Sequence, residues 1–168
     1  MSLRMLILLG LTLLCWPIMG LAFTGDKRET LRGLEEVSVL VEYLPDDVER
    51  EGLSREQLTR DIEGRLRQAG LRVRTISEIA NSPGAPYLYI AVYPITGPEV
   101  NVTAYAIGLT LKQLVQLSRD PPTEFFATTW EGLASPSWLS APRVLDIRTR
   151  ISEAVGRFII DYQAVNPK

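Results

Sequence analysis

The residue types that carry most enzymatic chemistry are nearly missing from this chain. It has no histidine, and its single cysteine, Cys15, lies in an apolar N-terminal stretch. Without an imidazole there is no Ser-His-Asp triad, no Cys-His dyad and no His-ligated metal of the usual kinds. Neither G-x-S-x-G nor S-x-x-K occurs. Carboxylates remain. Asp46, Asp47, Glu49 and Glu51 crowd one short segment, and a hard cation wants several such oxygens. The spacing lacks the D-x-D-x-D-G of a calcium loop, so the segment reads as a solvated turn whose charge favours the start of the helix after it. Glycoside hydrolysis needs two carboxyl groups at a set separation in a cleft, and nothing in the pattern marks such a pair. No residue is assigned as catalytic, cofactor-binding or metal-ligating, and no cofactor is expected.

Aromatic side chains are the other candidate set. Tyr87, Tyr89 and Tyr93 fall at even spacings on one strand-like run, Tyr105 sits on the next, and Trp130 and Trp138 flank the segment that follows the last strand. Tyr and Trp combine large apolar area with a polar handle and dominate interface hot spots. Tyr87, Tyr89, Tyr93, Trp130 and Trp138 are therefore the candidate partner-binding residues. The competing reading has the tyrosines closing the outer sheet face and the tryptophans plugging the sandwich edge.

Several elements must position these side chains. Val37, Val39, Val41 and Tyr43 alternate as a strand that Pro45 ends, with Leu40 and Leu44 making its second face partly apolar. Ser54 with Gln57 fits a capping box, and Leu53 with Leu58 fits a staple. Leu58, Ile62, Leu66 and Ala69 form a helical stripe that Gly70 closes. Gly64, inside that helix, could allow close approach to the sheet. Leu71 to Thr75 suggests a short strand, and 81–86 (NSPGAP) is a loop. Tyr87 to Ile95 is the strongest strand signal. Val102 to Leu117 alternates with Tyr105, Ile107, Leu109, Leu111, Val115 and Leu117 on one face, and Glu124 to Trp130 is its partner strand. Leu133 to Pro142 reads as a connection. Val144 to Tyr162 is a long amphipathic helix. The predicted fold class is α+β: a two-layer sandwich in the order β-α-β-β-β-β-α, with a mainly antiparallel sheet of four to five strands and two helices on one face.

The N-terminus bears on location. Residues 5–23 carry no charge after the basic Arg4, Pro17 interrupts the run, and Gly20-Leu21-Ala22 supplies small residues at a cleavage position. This is the pattern of a secretory signal peptide over residues 1–22. The alternative is an uncleaved membrane anchor, since the run is about long enough to span a bilayer. Residues 23–33 read as a flexible leader and 34–168 as a single α+β domain. A net charge of −2 with no basic stripe argues against nucleic acid. Asn101-Val102-Thr103 is a glycosylation sequon, of consequence only in a eukaryotic secretory pathway.

Three runs carry a resemblance: Gly33-Leu34-x-x-Val37-x-Val39-x-Val41-Glu42, Gly52-Leu53-Ser54-x-x-Gln57-Leu58, and Arg65-Leu66-Arg67-x-Ala69-Gly70-Leu71-x-Val73. With Tyr87-Leu88-Tyr89-Ile90 and Thr128-Thr129-Trp130, they resemble a family of bacterial exported α+β proteins of unknown function. The order of elements is also similar, at the level of fold, to cell-envelope assembly factors such as the plug lipoprotein of lipopolysaccharide transport and the amino-terminal domain of the Tol translocation protein. The resemblance implies no catalytic residues. The expectation is an exported (periplasmic or secreted), non-enzymatic binding or assembly component of the bacterial cell envelope. It would act on an envelope protein partner, touching membrane only through the N-terminal segment if that is uncleaved. Strand Glu124 to Trp130, if at a sheet edge, could also accept a partner strand. The alternatives are a carrier of a small apolar ligand held between helices and sheet and, third, a hydrolase using carboxylates alone.

Overall fold

A five-stranded sheet with spatial order β2-β1-β3-β4-β5 organises the chain. The computed structural model describes residues 26–96, 103–137 and 144–167; the proposed signal segment, Asn101 of the sequon and Trp138 lie outside them. The elements are β1 (Glu36–Val41), α1 (Asp46–Arg50), α2 (Arg55–Ala69), β2 (Arg72–Val73), α3 (Ile76–Ile79), β3 (Tyr87–Thr96), β4 (Thr103–Leu117), β5 (Thr123–Ser137) and α4 (Val144–Val165). The fold is α+β, with an open mixed sheet. β1 pairs in parallel with both β2 and β3. β3, β4 and β5 form the expected antiparallel meander.

The parallel pairs explain where the helices lie. The crossovers β1-α2-β2 and β2-α3-β3 travel to opposite sides along the sheet, so a common right-handed sense puts α2 and α3 on opposite faces. On the inner face, Val37, Val39 and Val41 of β1, Leu88, Ile90 and Val92 of β3, and Tyr105, Ile107, Leu109 and Leu111 of β4 are all buried. They form one core with Leu58, Ile62 and Leu66 of α2 and with Ile151, Val155 and Phe158 of α4. The layer between helices and sheet is thus filled by side chains. Each leucine-sized group buried there contributes about 1.5–3 kcal/mol.

On the outer face, short α3 and the loop after it cover only the start of β1: Ser38 is buried, and Glu36 accepts hydrogen bonds from Ser82 Oγ and Arg74 Nε. These donors, the Ser82 hydroxyl first, hold the Glu36 carboxyl below its usual range. α3 itself closes a complete capping box between Thr75 and Glu78. Its Thr75-x-x-Glu78 signature is present in the sequence, in a stretch expected as the end of a strand.

Several boundaries differ from expectation. The leader is structured from Asp26 onward: Lys27–Leu31 is a 3₁₀ turn and Leu31 is fully buried. Its carbonyl accepts from Asn166 Nδ2 at 2.8 Å, which ties the turn to the end of α4. The acidic segment is not a loop but helix α1, with Asp47 accepting from the Tyr105 hydroxyl. β5 runs past Trp130 to Ser137, because pairing with β4 continues along its whole length. Only half of the capping box at Ser54 forms: Gln57 N–H donates to Ser54 Oγ, while the Ser54 hydroxyl turns to Glu56. Gly64 approaches nothing, since no atom lies within 4 Å of where its Cβ would stand. Gly70 does take the left-handed conformation, φ 103°, that ends α2.

Candidate functional site: the uncovered sheet face

Alternation along β3 fixes which tyrosines reach solvent. Leu88, Ile90 and Val92 point to the core, so Tyr87, Tyr89, Ala91 and Tyr93 point the other way. In register beside them stand Leu40 of β1 and Thr110 and Lys112 of β4. Leu114 of β4 pairs with Phe126 of β5, and the Phe126 ring meets that of Tyr87 edge-on at 5.7 Å. Leu40, Tyr93, Leu114 and Phe126 are exposed, Tyr93 by 49% and Phe126 by 51%. Among the described residues, then, the outer face beyond α3 presents a band of aromatic and aliphatic side chains across four strands.

Tyr89 is held at its centre. Its hydroxyl donates to Glu42, and the Lys112 ammonium lies 4.5 Å from the centre of its ring. The Glu42 hydrogen bond, then burial, push the Tyr89 phenol well above its ordinary range, so it stays a neutral donor. Lys112 and Glu42 frame the ring with opposite charges. Also on this face, the Thr110 hydroxyl is buried without a hydrogen-bond partner among the described residues. Such a group costs about 1–3 kcal/mol relative to a satisfied one.

The other aromatic candidates belong to the opposite face. Trp130 is 1% exposed. Its indole N–H donates to Asp161 at 2.9 Å, and its ring meets Phe158 edge-on at 5.0 Å. It packs the domain and is not part of the outer surface. Tyr105 is likewise buried. Burial, and then the bond to Asp47, raise its phenol, and the same bond holds the Asp47 carboxyl down. The structure thus brings Tyr87, Tyr89 and Tyr93 together on one surface and separates them from Trp130. Leu40, Leu114 and Phe126 complete that surface. Leu40 was already marked by the apolar second face of its strand, while the signal for Leu114 and Phe126 was the even-numbered phase of β4 and β5, which is readable only once the register is known.

A concavity of about 700 Å³ runs between α2 and α4 on the solvent side. Leu58, Ile62 and Ile151 form its floor. Arg148 reaches across to Asp61, and Arg65 donates to the carbonyl and hydroxyl of Ser152 at 2.6 and 2.9 Å. These bridges tie the helices together across the groove. Among the described residues, no group of three or more His, Cys, Asp or Glu side chains is placed to hold a metal ion. No helix among them is long and apolar enough to cross a membrane.

No protein-family model matches this chain, and none of the curated proteins matches it.

Proposed function

We propose that the protein is an exported, non-enzymatic binding component of the bacterial cell envelope, and that the uncovered sheet face is where an envelope protein docks. The observation that carries this reading is the asymmetry of the sheet: two long helices cover one face, while Leu40, Tyr87, Tyr93, Leu114 and Phe126 stand on the other. Contiguous apolar surface rimmed by polar groups is characteristic of interaction sites. Tyr89, pinned by Glu42 and Lys112, is a preorganised ring, so little side-chain entropy is lost when a partner covers it. The uncharged run at residues 5–23 supports export.

The test is site-specific photocrosslinking in the native cells. A photoreactive residue replaces Tyr93 in the full-length protein. A control places it at Leu145, exposed on α4. The expected result is one reproducible envelope protein crosslinked from position 93 and not from 145. Adducts from 145 alone, or none from 93, would remove this face as the docking site. The mass of the recovered chain also reports whether residues 1–22 have been cleaved.

A further inference from the structure

We propose that two copies of this chain pair through their β5 edges, antiparallel, about a two-fold axis at Phe126. This edge shares Phe126 with the tyrosine face, but the pairing does not depend on the docking reading above.

β5 is the last strand of the sheet. The ladder shows which of its backbone groups are unused. Leu114 N–H donates to the Gly84 carbonyl on the β3 side, so Gln113, Val115 and Leu117 turn their backbone groups to β5. Their partners Ala127, Phe125 and Thr123 answer them. Glu124, Phe126 and, by the same alternation, Thr128 then face outward. No other described residue meets the outward groups of Glu124 and Phe126. From Thr129 to Glu131 the edge is closed. The 3₁₀ turn lies along it, with Thr30 Oγ1 donating to the Thr129 carbonyl at 3.0 Å and Lys27 Nζ to the Glu131 carbonyl at 2.6 Å. The edge left open before that turn is one short segment, residues 123–128.

That segment pairs most fully with itself in one register. A two-fold axis can pass at an outward-facing residue, Glu124, Phe126 or Thr128, or at a residue between two of them. Centring on Phe125 pairs Glu124 with Phe126 but sets Thr128 opposite Pro122, which has no N–H, and centring on Ala127 brings Glu124 opposite Trp130, beside the 3₁₀ turn. Centring on Glu124 sets two carboxylates against each other, which is unfavourable. Centring on Thr128 runs the partner strand into the 3₁₀ turn. Centring on Phe126 sets Phe126 against its own copy and Glu124 against Thr128, with no like charges opposed. Phe126, already against Tyr87 on the outer face, then meets its copy. Phe125, 43% exposed on the inner side, meets Ala127 of the other copy. A free strand edge with apolar side chains on both faces invites pairing with another chain. A closed two-fold pair consumes both edges.

Sedimentation equilibrium on the exported full-chain product, from about 1 to 100 µM, tests this. The unaltered protein should have twice the chain mass, and Phe126→Lys, which opposes two ammonium groups at the axis, should halve it with an unchanged far-ultraviolet circular dichroism spectrum. Thr128→Glu, which opposes Glu124, should weaken association about tenfold or more, and adding Glu124→Lys should restore it. The charge pair tests the register even if Phe126→Lys fails to fold. A monomer at the highest concentration, a dimer insensitive to Phe126→Lys, or a double variant that is not restored would each overturn the proposal. Because Tyr93 lies off this edge, failure here leaves the docking face untouched, and failure of the crosslinking experiment leaves the dimer untouched.

Discussion

Trp130 and Tyr93 stand on opposite faces of one sheet under opposite conditions. Trp130 is enclosed: its N–H is paired with Asp161, Phe158 meets its ring edge-on, and Lys27 Nζ lies 5.8 Å from the ring centre. Tyr93 is half open to solvent on a strand whose neighbours supply more apolar side chains but no helix. The difference shows that residue type alone does not separate a core aromatic from a surface one. The phase of the strand and the position of the helices do. The inner face carries the packed core, whereas the outer face has apolar area and, among the described residues, a buried hydroxyl, Thr110 Oγ1, without a partner.

The largest effect should come from breaking that contrast on its buried side. Trp130→Ala leaves a cavity against Phe158 and removes the indole hydrogen bond to Asp161, and should cost about 3–5 kcal/mol in denaturant unfolding. Tyr93→Ala should change stability by no more than about 0.5 kcal/mol, as expected of an exposed site. Comparable losses for the two would erase the distinction between the faces.

A second contrast, between two glycines, sharpens it. A Cβ on Gly132 would stand 2.6 Å from Trp130 Cη2. Since the indole is fixed by its contacts, Gly132→Ala should destabilise by about 1–3 kcal/mol, the range for overpacking a core. Gly64 has no atom near its Cβ position and lies inside α2. Gly64→Ala should instead stabilise by about 1 kcal/mol or less, read as a higher denaturant midpoint. The opposite signs report that the chain is tight beside Trp130 on β5 and open at Gly64 on α2.

The smallest effect is a pH dependence at the inner-face rim. The Tyr105 hydroxyl holds the Asp47 carboxyl below its ordinary range. A depressed carboxyl contributes stability that is present above its unfolded pKa and lost as pH falls through the folded value. Tyr105→Phe should therefore flatten the decline of stability below about pH 4. Thermal melts from neutral to acidic pH measure it. An unchanged slope would show that the Asp47–Tyr105 bond has no pH-linked role.

Much of the fold was legible in the sequence. The stripe of Leu58, Ile62, Leu66 and Ala69, ended by Gly70, specifies α2 because a 3.6-residue period has one buried face. The meander follows from alternating runs with turn residues between them, and the tyrosines share a face because strand periodicity is two. Composition excluded histidine and, beyond Cys15, cysteine chemistry outright. What local pattern could not decide were the contacts that depend on distant chain. The acidic segment became a helix whose Asp47 meets Tyr105, 58 residues away. The leader docked through Leu31 and Asn166, 135 residues apart. β1 took parallel neighbours on both sides, which requires crossovers that no single window displays. The same holds for Trp130: the sequence determined that a large amphipathic ring lies on a strand, and only the tertiary structure decided that the strand runs on past it and that the ring turns inward. Burial is a property of what packs against a residue, and for Trp130 that is Phe158 and Asp161 of α4, which only the folded chain brings to it.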